Sequence, residues 1–209
     1  CTISTINRLM INSIPAFSIP VGEALLPTPI CDHFKDVDTD VEQDLKGHSV
    51  QNIHFLDDYV VAKETVTQLF QDFAEEVYGY RQDWRITTSW LTSNPEGKPM
   101  FRHRHANCIY SGVLYPFTYT ADHAPLILEN PLIQLSSFDM RVDKPGPFFS
   151  DYIGTHPIPR GQLIFFPSYL YHYHPPFKKS DLTRKSIAFN LFPDEEFGVN
   201  ESVCHVRSS

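Results

Sequence analysis

Cysteine and basic residues are scarce in this chain of 209 residues, and each shortage argues against a class of protein. The 4 cysteines, at positions 1, 31, 108 and 204, form no Cys-x-x-Cys pair, so a zinc site built on thiolates is not expected. Lysine and arginine number 17 against 25 acidic residues, and the net charge is −8. This balance argues against a nucleic-acid-binding surface. The cysteines are expected to be free thiols of an intracellular, cytoplasmic protein.

Long apolar runs and internal repeats are absent as well. No stretch approaches the roughly 18 consecutive apolar residues that predict a membrane-spanning helix, so no membrane partner is expected. Glycine is also sparse, with 9 residues against 17 prolines, which favours many short strands and turns over a helical bundle. The chain begins at Cys1 rather than at a methionine, which leaves residues upstream of it open.

One long helix is predicted before the strand-rich part of the chain. Its apolar residues follow the i, i+3, i+4, i+7, i+11 spacing of a single helix face, and they are Val66, Leu69, Phe70, Phe73 and Val77. Asp57 or Asp58 is expected to cap its start, and Gly79 to end it. Upstream, the proline-dotted residues 1–35 predict edge strands, and the acidic residues 36–50 predict a short helix or a solvated loop.

Short segments rich in Ile, Phe, Tyr and Thr follow Gly79, bounded by turn residues. They span residues 85–92, 109–119, 125–128, 138–142, 161–166, 169–174 and 185–192. The pattern predicts a mainly β fold, a cupin-like double-stranded β-helix (jelly roll) with N-terminal helices packed on one sheet. An immunoglobulin-type sandwich is the alternative, which the long helix disfavours. A single domain is expected over 1–209, with N-terminal strands and helices in 1–85, the jelly-roll core in 86–193 and a polar tail in 194–209.

Histidine is the residue type that points to chemistry, because 4 of the 10 histidines form two His-x-His pairs. The pairs are His103 with His105, and His172 with His174. Residues two apart in an extended segment project to the same side, and the strands of a small barrel point toward a common centre. Imidazole nitrogens bind Fe, Zn, Cu and Ni alike. The pairs therefore predict a metal site without choosing the metal.

A third segment separates two faces by strict alternation. Ile187, Phe189 and Leu191 read as a buried apolar face, whereas the opposite face carries Arg184, Ser186, Ala188 and Asn190. The planar guanidinium of an arginine is well matched to a carboxylate. The alternative is that this polar face is solvated, as in many antiparallel sheets.

Together these motifs resemble a family of 2-oxoglutarate- and Fe(II)-dependent oxygenases. The pattern runs H-x-H-x-N, S-G-V-x-Y, F-P-S-x-L-x-H and R-x-S-x-x-F-N between Trp90 and Phe192, about half of the chain. The resemblance implies a jelly-roll dioxygenase, an oxidoreductase that uses Fe(II), O2 and the cosubstrate 2-oxoglutarate. It implies hydroxylation of a peptide side chain or a small molecule, with release of succinate and CO2, in a family with bacterial and phage members.

The resemblance also implies roles for individual residues. His103 and His172 would bind iron, Arg184 would bind the C5 carboxylate of 2-oxoglutarate with help from Ser186, and Tyr115 would contact the cosubstrate. His174, which matches no ligand position of the pattern, is expected beside the site or facing the substrate.

The third ligand is where the sequence departs from the usual set of two histidines and a carboxylate. His105 stands two residues after His103, where that carboxylate is expected, so a three-histidine site is the favoured interpretation. The alternatives are Asn107 or water, and a distant carboxylate such as Glu129 or Asp122. A missing carboxylate raises the charge of the site by one, which leaves the metal's identity open. Two other functions remain: a cupin-like three-histidine enzyme that does not use 2-oxoglutarate, and a non-enzymatic jelly-roll binding module.

Overall fold

The computed structural model describes residues 18–38, 52–95, 97–132, 152–154, 157–177, 183–194 and 196–206. The helices are α1 (Thr28–Cys31) and α2 (Val60–Tyr78), with short 3-10 helices at Asp32–Phe34, Phe55–Asp58 and Asn200–Ser202. The strands are β1 (Gly22–Leu25), β2 (Trp84–Pro95), β3 (Met100–His103), β4 (Tyr110–Tyr115), β5 (Ile127–Glu129), β6 (Tyr152–Gly154), β7 (Gln162–Pro167), β8 (His172–His174), β9 (Thr183–Pro193), β10 (Glu196–Phe197) and β11 (Cys204–His205).

Two antiparallel sheets form the framework. The larger has five strands in the order β1-β7-β4-β9-β2, and the smaller has four in the order β3-β8-β5-β6. Neighbours in both sheets are distant in sequence, so the chain crosses repeatedly between the sheets, as in a jelly roll. The predicted mainly β, double-stranded β-helix fold is confirmed. A short hairpin of β10 and β11 forms in the part of the chain predicted as a polar tail.

Helix α2 packs on the outer face of the five-stranded sheet, as the helical spacing predicts. Val66 and Phe70 are fully buried there, and the Phe70 ring lies 4.9 Å from Trp84 and 5.2 Å from Phe165. Burial of such aromatic rings supplies much of the energy that holds a helix on a sheet. This contact fixes the five-stranded sheet on one side and leaves its inner face to line the site.

Of the two predicted ends of α2, only the C-terminal one agrees with the structure. Gly79 ends the helix in the left-handed conformation at a φ of 70°, which glycine adopts at little cost. The expected aspartate cap is wrong, because Tyr59 occupies the N-cap position without a side-chain hydrogen bond. Asp57 and Asp58 instead lie inside the preceding 3-10 helix.

Several predicted strand boundaries shift for local reasons. The strand predicted over 109–119 ends at Tyr115, before a proline. The strand predicted over 169–174 is reduced to β8, because residues 168–170 form a turn. Strands β3 and β6 were not predicted, since each is short and lacks a clear alternation. Three parts of the sequence analysis fall outside the described residues: the predicted strand over 138–142, most of the acidic segment 36–50, and residues 1–17.

Two expectations about the whole chain can be compared with the described residues. Cys31, Cys108 and Cys204 are free thiols there. In the same ranges, neither α1 nor α2 combines the length and apolarity that a membrane crossing requires.

Candidate metal and cosubstrate site

Three histidine side chains converge between the two sheets. His103 ends β3, His105 follows it in the next loop, and His172 begins β8. One ring nitrogen from each lies within 4.8 Å of the others, and the Nε2 atoms of His103 and His105 are 3.3 Å apart. The structure thus brings together the three residues that the sequence proposes as metal ligands.

A β-bulge places His103 in this group. Met100 pairs with His174 and His103 pairs with His172, so β3 uses one residue more than β8 over the same interval. Such an extra residue redirects the side chains that follow it, which lets both Met100 and His103 point inward and leaves Phe101 exposed. His105 lies beyond the strand, where its backbone N–H donates to the Ser168 carbonyl at 3.1 Å. Simple alternation along one strand is therefore not how the pair converges.

Backbone carbonyls set the tautomer of two of the histidines. The Nδ1 atom of His103 lies 2.7 Å from the Phe101 carbonyl, and that of His172 lies 3.0 Å from the Leu170 carbonyl. A carbonyl only accepts hydrogen bonds, so Nδ1 carries the proton in both rings and Nε2 keeps its lone pair. Each ring then presents Nε2 as a ligand, which is the usual arrangement of metal-binding histidines.

The three imidazoles fit a first-row divalent metal. Metal–imidazole bonds are about 2.1 Å long, so two such ligands at a right angle lie about 3.0 Å apart, close to the 3.3 Å between His103 and His105. Nitrogen donors of this type suit iron among other metals. Within the described ranges, the group that could hold a metal consists of these histidines and no carboxylate.

The other candidates for the third ligand lie elsewhere. Asn107 is exposed in a turn, at a φ of 59°. Glu129 accepts two hydrogen bonds of 2.8 Å from Arg102, and Asp122 is exposed on a loop. The structure therefore places His105, and none of these three, beside His103 and His172.

The histidines line the same cavity as Arg184. Arg184 is only 1% exposed, and its Nε donates to the Ala124 carbonyl at 2.9 Å while Nη2 donates to the Tyr115 hydroxyl at 2.7 Å. Nη1 lies 3.5 Å from the Ser186 hydroxyl. None of these partners is acidic. Arg184 is thus a buried cation held in place by neutral groups, facing a cavity, which is an arrangement suited to a carboxylate ligand.

Tyr115 is positioned to assist Arg184. Burial raises the pKa of its phenol, and the opposing effect of Arg184 is smaller. The phenol therefore stays protonated while its oxygen accepts from Arg184. The hydroxyl proton of Tyr115 can still be donated to an acceptor in the cavity.

Several residues around the site were given no role by the sequence-based reasoning. Trp90 and Thr92 line the cavity from β2, and the Thr92 hydroxyl lies 2.6 Å from that of Ser186. Asn190, Ser111 and Ser168 form a hydrogen-bonded group behind His105. The alternation of Trp90 and Thr92, two residues apart on a strand, was the available signal for the first two.

His174 lies beside the site, fully buried, rather than in the histidine group. Its Nδ1 is 3.0 Å from the Pro175 carbonyl, and its Nε2 is 2.6 Å from the Asn94 amide nitrogen. The ring is thus neutral, with Nε2 as acceptor. Burial lowers the pKa of His174 to about 3, and the charge of Arg184 adds to this effect.

The depressed pKa of His174 predicts that the metal-free protein loses stability in acid. An unfolded histidine takes up a proton near pH 6.5, whereas folded His174 does so only near pH 3. Its contribution is therefore complete above about pH 6.5 and declines as the pH falls toward 3, by at most about 1.4 kcal/mol per pH unit. His174→Gln should flatten this dependence in urea unfolding between about pH 7 and pH 4. Exposed His33→Gln is the matched control, and equal slopes in wild type and His174→Gln would contradict the prediction.

Comparison with known proteins agrees with this site. Residues 88–190 match the profile of a family described as "Putative 2OG-Fe(II) oxygenase". The chain belongs to this family. It is therefore an oxidoreductase of the 2OG-Fe(II) oxygenase class, and the non-enzymatic binding module is set aside. The matched range includes the three histidines, Arg184 and Asn190.

Several solved structures share the fold at low sequence identity. A prolyl-4-hydroxylase from Pseudomonas putida has a TM-score of 0.52 and 15% identity over 83% of this chain and 93% of that one. HygX from Streptomyces hygroscopicus, solved with nickel and 2-oxoglutarate bound, has a TM-score of 0.52 and 10% identity over 84% and 83%. The α-ketoglutarate-dependent epimerase SnoN of nogalamycin biosynthesis has a TM-score of 0.56 and 11% identity over 85% and 80%. No curated protein sequence matches the chain significantly.

Proposed function

We propose that the protein is a dioxygenase that binds Fe(II) through His103, His105 and His172 and 2-oxoglutarate through Arg184. The observation that carries the proposal is the buried guanidinium of Arg184, held by neutral partners, in the same cavity as three converging imidazoles. A metal site alone suits many enzymes. A buried cation that faces the same small cavity adds a place for a dicarboxylate.

The pocket around Arg184 explains how one end of 2-oxoglutarate would be held. Nη1 of Arg184 and the hydroxyls of Ser186 and Tyr115 surround one end of the cavity. Thr92 bonds the Ser186 hydroxyl at 2.6 Å, which restricts its rotation. These groups would bind the C5 carboxylate, so that the 2-oxo acid end points toward the histidines. Charge-assisted hydrogen bonds of this kind are stronger than neutral ones.

The remaining walls keep water out. Met100, Val113 and Leu126 are buried residues that line the cavity, and Trp90 covers the side next to His105, with its ring 5.4 Å away. Iron and 2-oxoglutarate, when bound, supply the oxidation: O2 and 2-oxoglutarate become succinate and CO2, and one oxygen atom is added to the substrate. The protein orients both groups and keeps their surroundings dry.

We propose hydroxylation of a peptide side chain or a small molecule. The net charge of −8 disfavours a nucleic-acid substrate.

An anaerobic titration tests the proposal. Metal-free protein without a histidine tag would be loaded with Fe(II), and 2-oxoglutarate then added. We expect a visible charge-transfer band that requires both components, followed after admission of air by formation of succinate and CO2. Fe(II) with succinate in place of 2-oxoglutarate is the control. Absence of the band in folded, iron-loaded protein would contradict the proposal.

A second candidate is a three-histidine metal enzyme that does not use 2-oxoglutarate. The observation in its favour is that the metal group contains neutral imidazoles and, in the described part of the chain, no carboxylate. The two candidates differ in the role of Arg184, and a substitution of that residue separates them.

A further inference from the structure

We propose that Asn190 makes His105 a competent metal ligand: its side-chain oxygen accepts a hydrogen bond from Nδ1–H of His105, so that Nε2 is the ring nitrogen that carries the lone pair for the metal. This inference rests on the proposed metal site and assigns to Asn190 a positioning role. Ser111 and Thr88 support it by orienting the Asn190 amide.

His105 differs from the other two histidines in what holds its ring. His103 and His172 donate to backbone carbonyls, which follow from the strand geometry. The Nδ1 of His105 is 2.5 Å from the Asn190 side-chain oxygen and 2.9 Å from the Ser111 hydroxyl. Its tautomer is therefore set by side chains, and a substitution can change it.

The neighbours of Asn190 favour the orientation in which its oxygen faces His105. The amide nitrogen donates to the Thr88 hydroxyl at 3.0 Å, and the Ser111 hydroxyl donates to the amide oxygen at 2.9 Å. Ser111 is in turn 2.8 Å from the Ser168 hydroxyl. Thr88, Ser111 and Asn190 are register partners on the adjacent strands β2, β4 and β9, so the backbone of the five-stranded sheet holds this group together.

The role matters because His105 stands where the usual set of two histidines and a carboxylate has its carboxylate. A carboxylate has no tautomers, whereas a neutral imidazole binds metal through Nε2 only when Nδ1 carries the proton. In the opposite tautomer, a proton on Nε2 would point toward His103, whose Nε2 is 3.3 Å away. Asn190 thus supplies the constraint that the exchange of a carboxylate for a histidine requires.

Cobalt(II) titration of the metal-free protein tests the inference, with affinity and the visible Co(II) spectrum as readouts. Asn190→Ala should weaken Co(II) binding by about 10-fold to 100-fold, the usual effect of removing an outer hydrogen-bond partner of a ligand. Asn190→Asp should bind at least as tightly as wild type and keep its Co(II) spectrum. An aspartate side chain only accepts from His105, and the hydroxyls of Thr88 and Ser111 can both donate to it.

Asn94→Ala is the matched control, since Asn94 also bonds a buried histidine, His174, outside the metal group. It should lower the thermal stability of the metal-free protein and leave Co(II) affinity within about 3-fold of wild type, well short of the effect at Asn190. Equal Co(II) affinity in wild type and Asn190→Ala would overturn the inference alone. So would an Asn190→Asp variant as weak as Asn190→Ala, because the amide would then act as a donor or only as packing. If folded wild-type protein binds no Co(II), the proposed metal site fails with it.

Discussion

Replacing His172 with alanine should abolish tight binding of Fe(II) or Co(II), with an affinity loss of more than about 100-fold, beyond the usual effect of an outer partner. His172 is 2% exposed and lies at the start of β8, where the Leu170 carbonyl fixes its tautomer. Its removal leaves two of the three imidazoles. In the described ranges, the group that could hold a metal contains no carboxylate to take its place. Succinate formation from 2-oxoglutarate should be lost together with metal binding.

The same strand offers a matched control for this prediction. His174 is buried two residues away but bonds Asn94 and Pro175 instead of joining the metal group. His174→Ala should therefore retain the metal affinity of wild type, although the free energy of unfolding falls. Unchanged Co(II) binding by folded His172→Ala would show that the three histidines do not form the site.

Replacing Arg184 with alanine should weaken 2-oxoglutarate binding by about 100-fold or more, since loss of one partner of a buried charge pair costs about 2–5 kcal/mol. Metal affinity should be little changed, because Arg184 bonds Ala124, Tyr115 and Ser186 and none of the three histidines. The measurement is 2-oxoglutarate titration of the Fe(II)-loaded protein without O2, with a separate Co(II) titration of each variant.

Arg184→Lys is the informative companion to this substitution. Lysine keeps the charge but lacks the planar fork that bonds Ala124 and Tyr115 simultaneously. We expect an affinity for 2-oxoglutarate between those of wild type and Arg184→Ala. The alanine variant should still fold, because none of the partners of Arg184 is a carboxylate that would be left buried and unpaired. Wild-type affinity for 2-oxoglutarate in Arg184→Ala would favour the three-histidine enzyme that does not use this cosubstrate.

The parts of the fold that could be predicted are those with a local repeat. The spacing of Val66 and Phe70 predicted α2, and the alternation around Phe189 predicted β9 and its two faces. The strands β3 and β6 have 4 and 3 residues and no such repeat, so they could not be predicted. The prediction that Asp57 or Asp58 caps the helix was wrong, because both aspartates belong to the 3-10 helix that precedes it. That short helix depends on how the chain enters α2.

The candidate site also has parts that the sequence predicts and parts that it does not. The residue types were legible: paired histidines at 103, 105 and 172, and an arginine at 184 that shares a strand face with Ser186. Their convergence on one site was predicted as well, but the geometry that produces it was not, because it depends on the bulge in β3 and on strand pairs between residues far apart in the chain. The choice of His105 over Asn107, Glu129 or Asp122 is likewise a matter of which side chains the two sheets bring within reach.

By itself, the sequence determined the fold class, the helix on one sheet and the chemical groups available for a metal and a dicarboxylate. These depend on periodicity and residue type, which are local. Only the tertiary structure decided that Arg184 is buried among neutral partners, that the third imidazole belongs to His105, and that Asn190 holds it. Each of these depends on contacts between strands distant in sequence, such as β4 with β9, where a shift of one residue would turn every side chain to the other face.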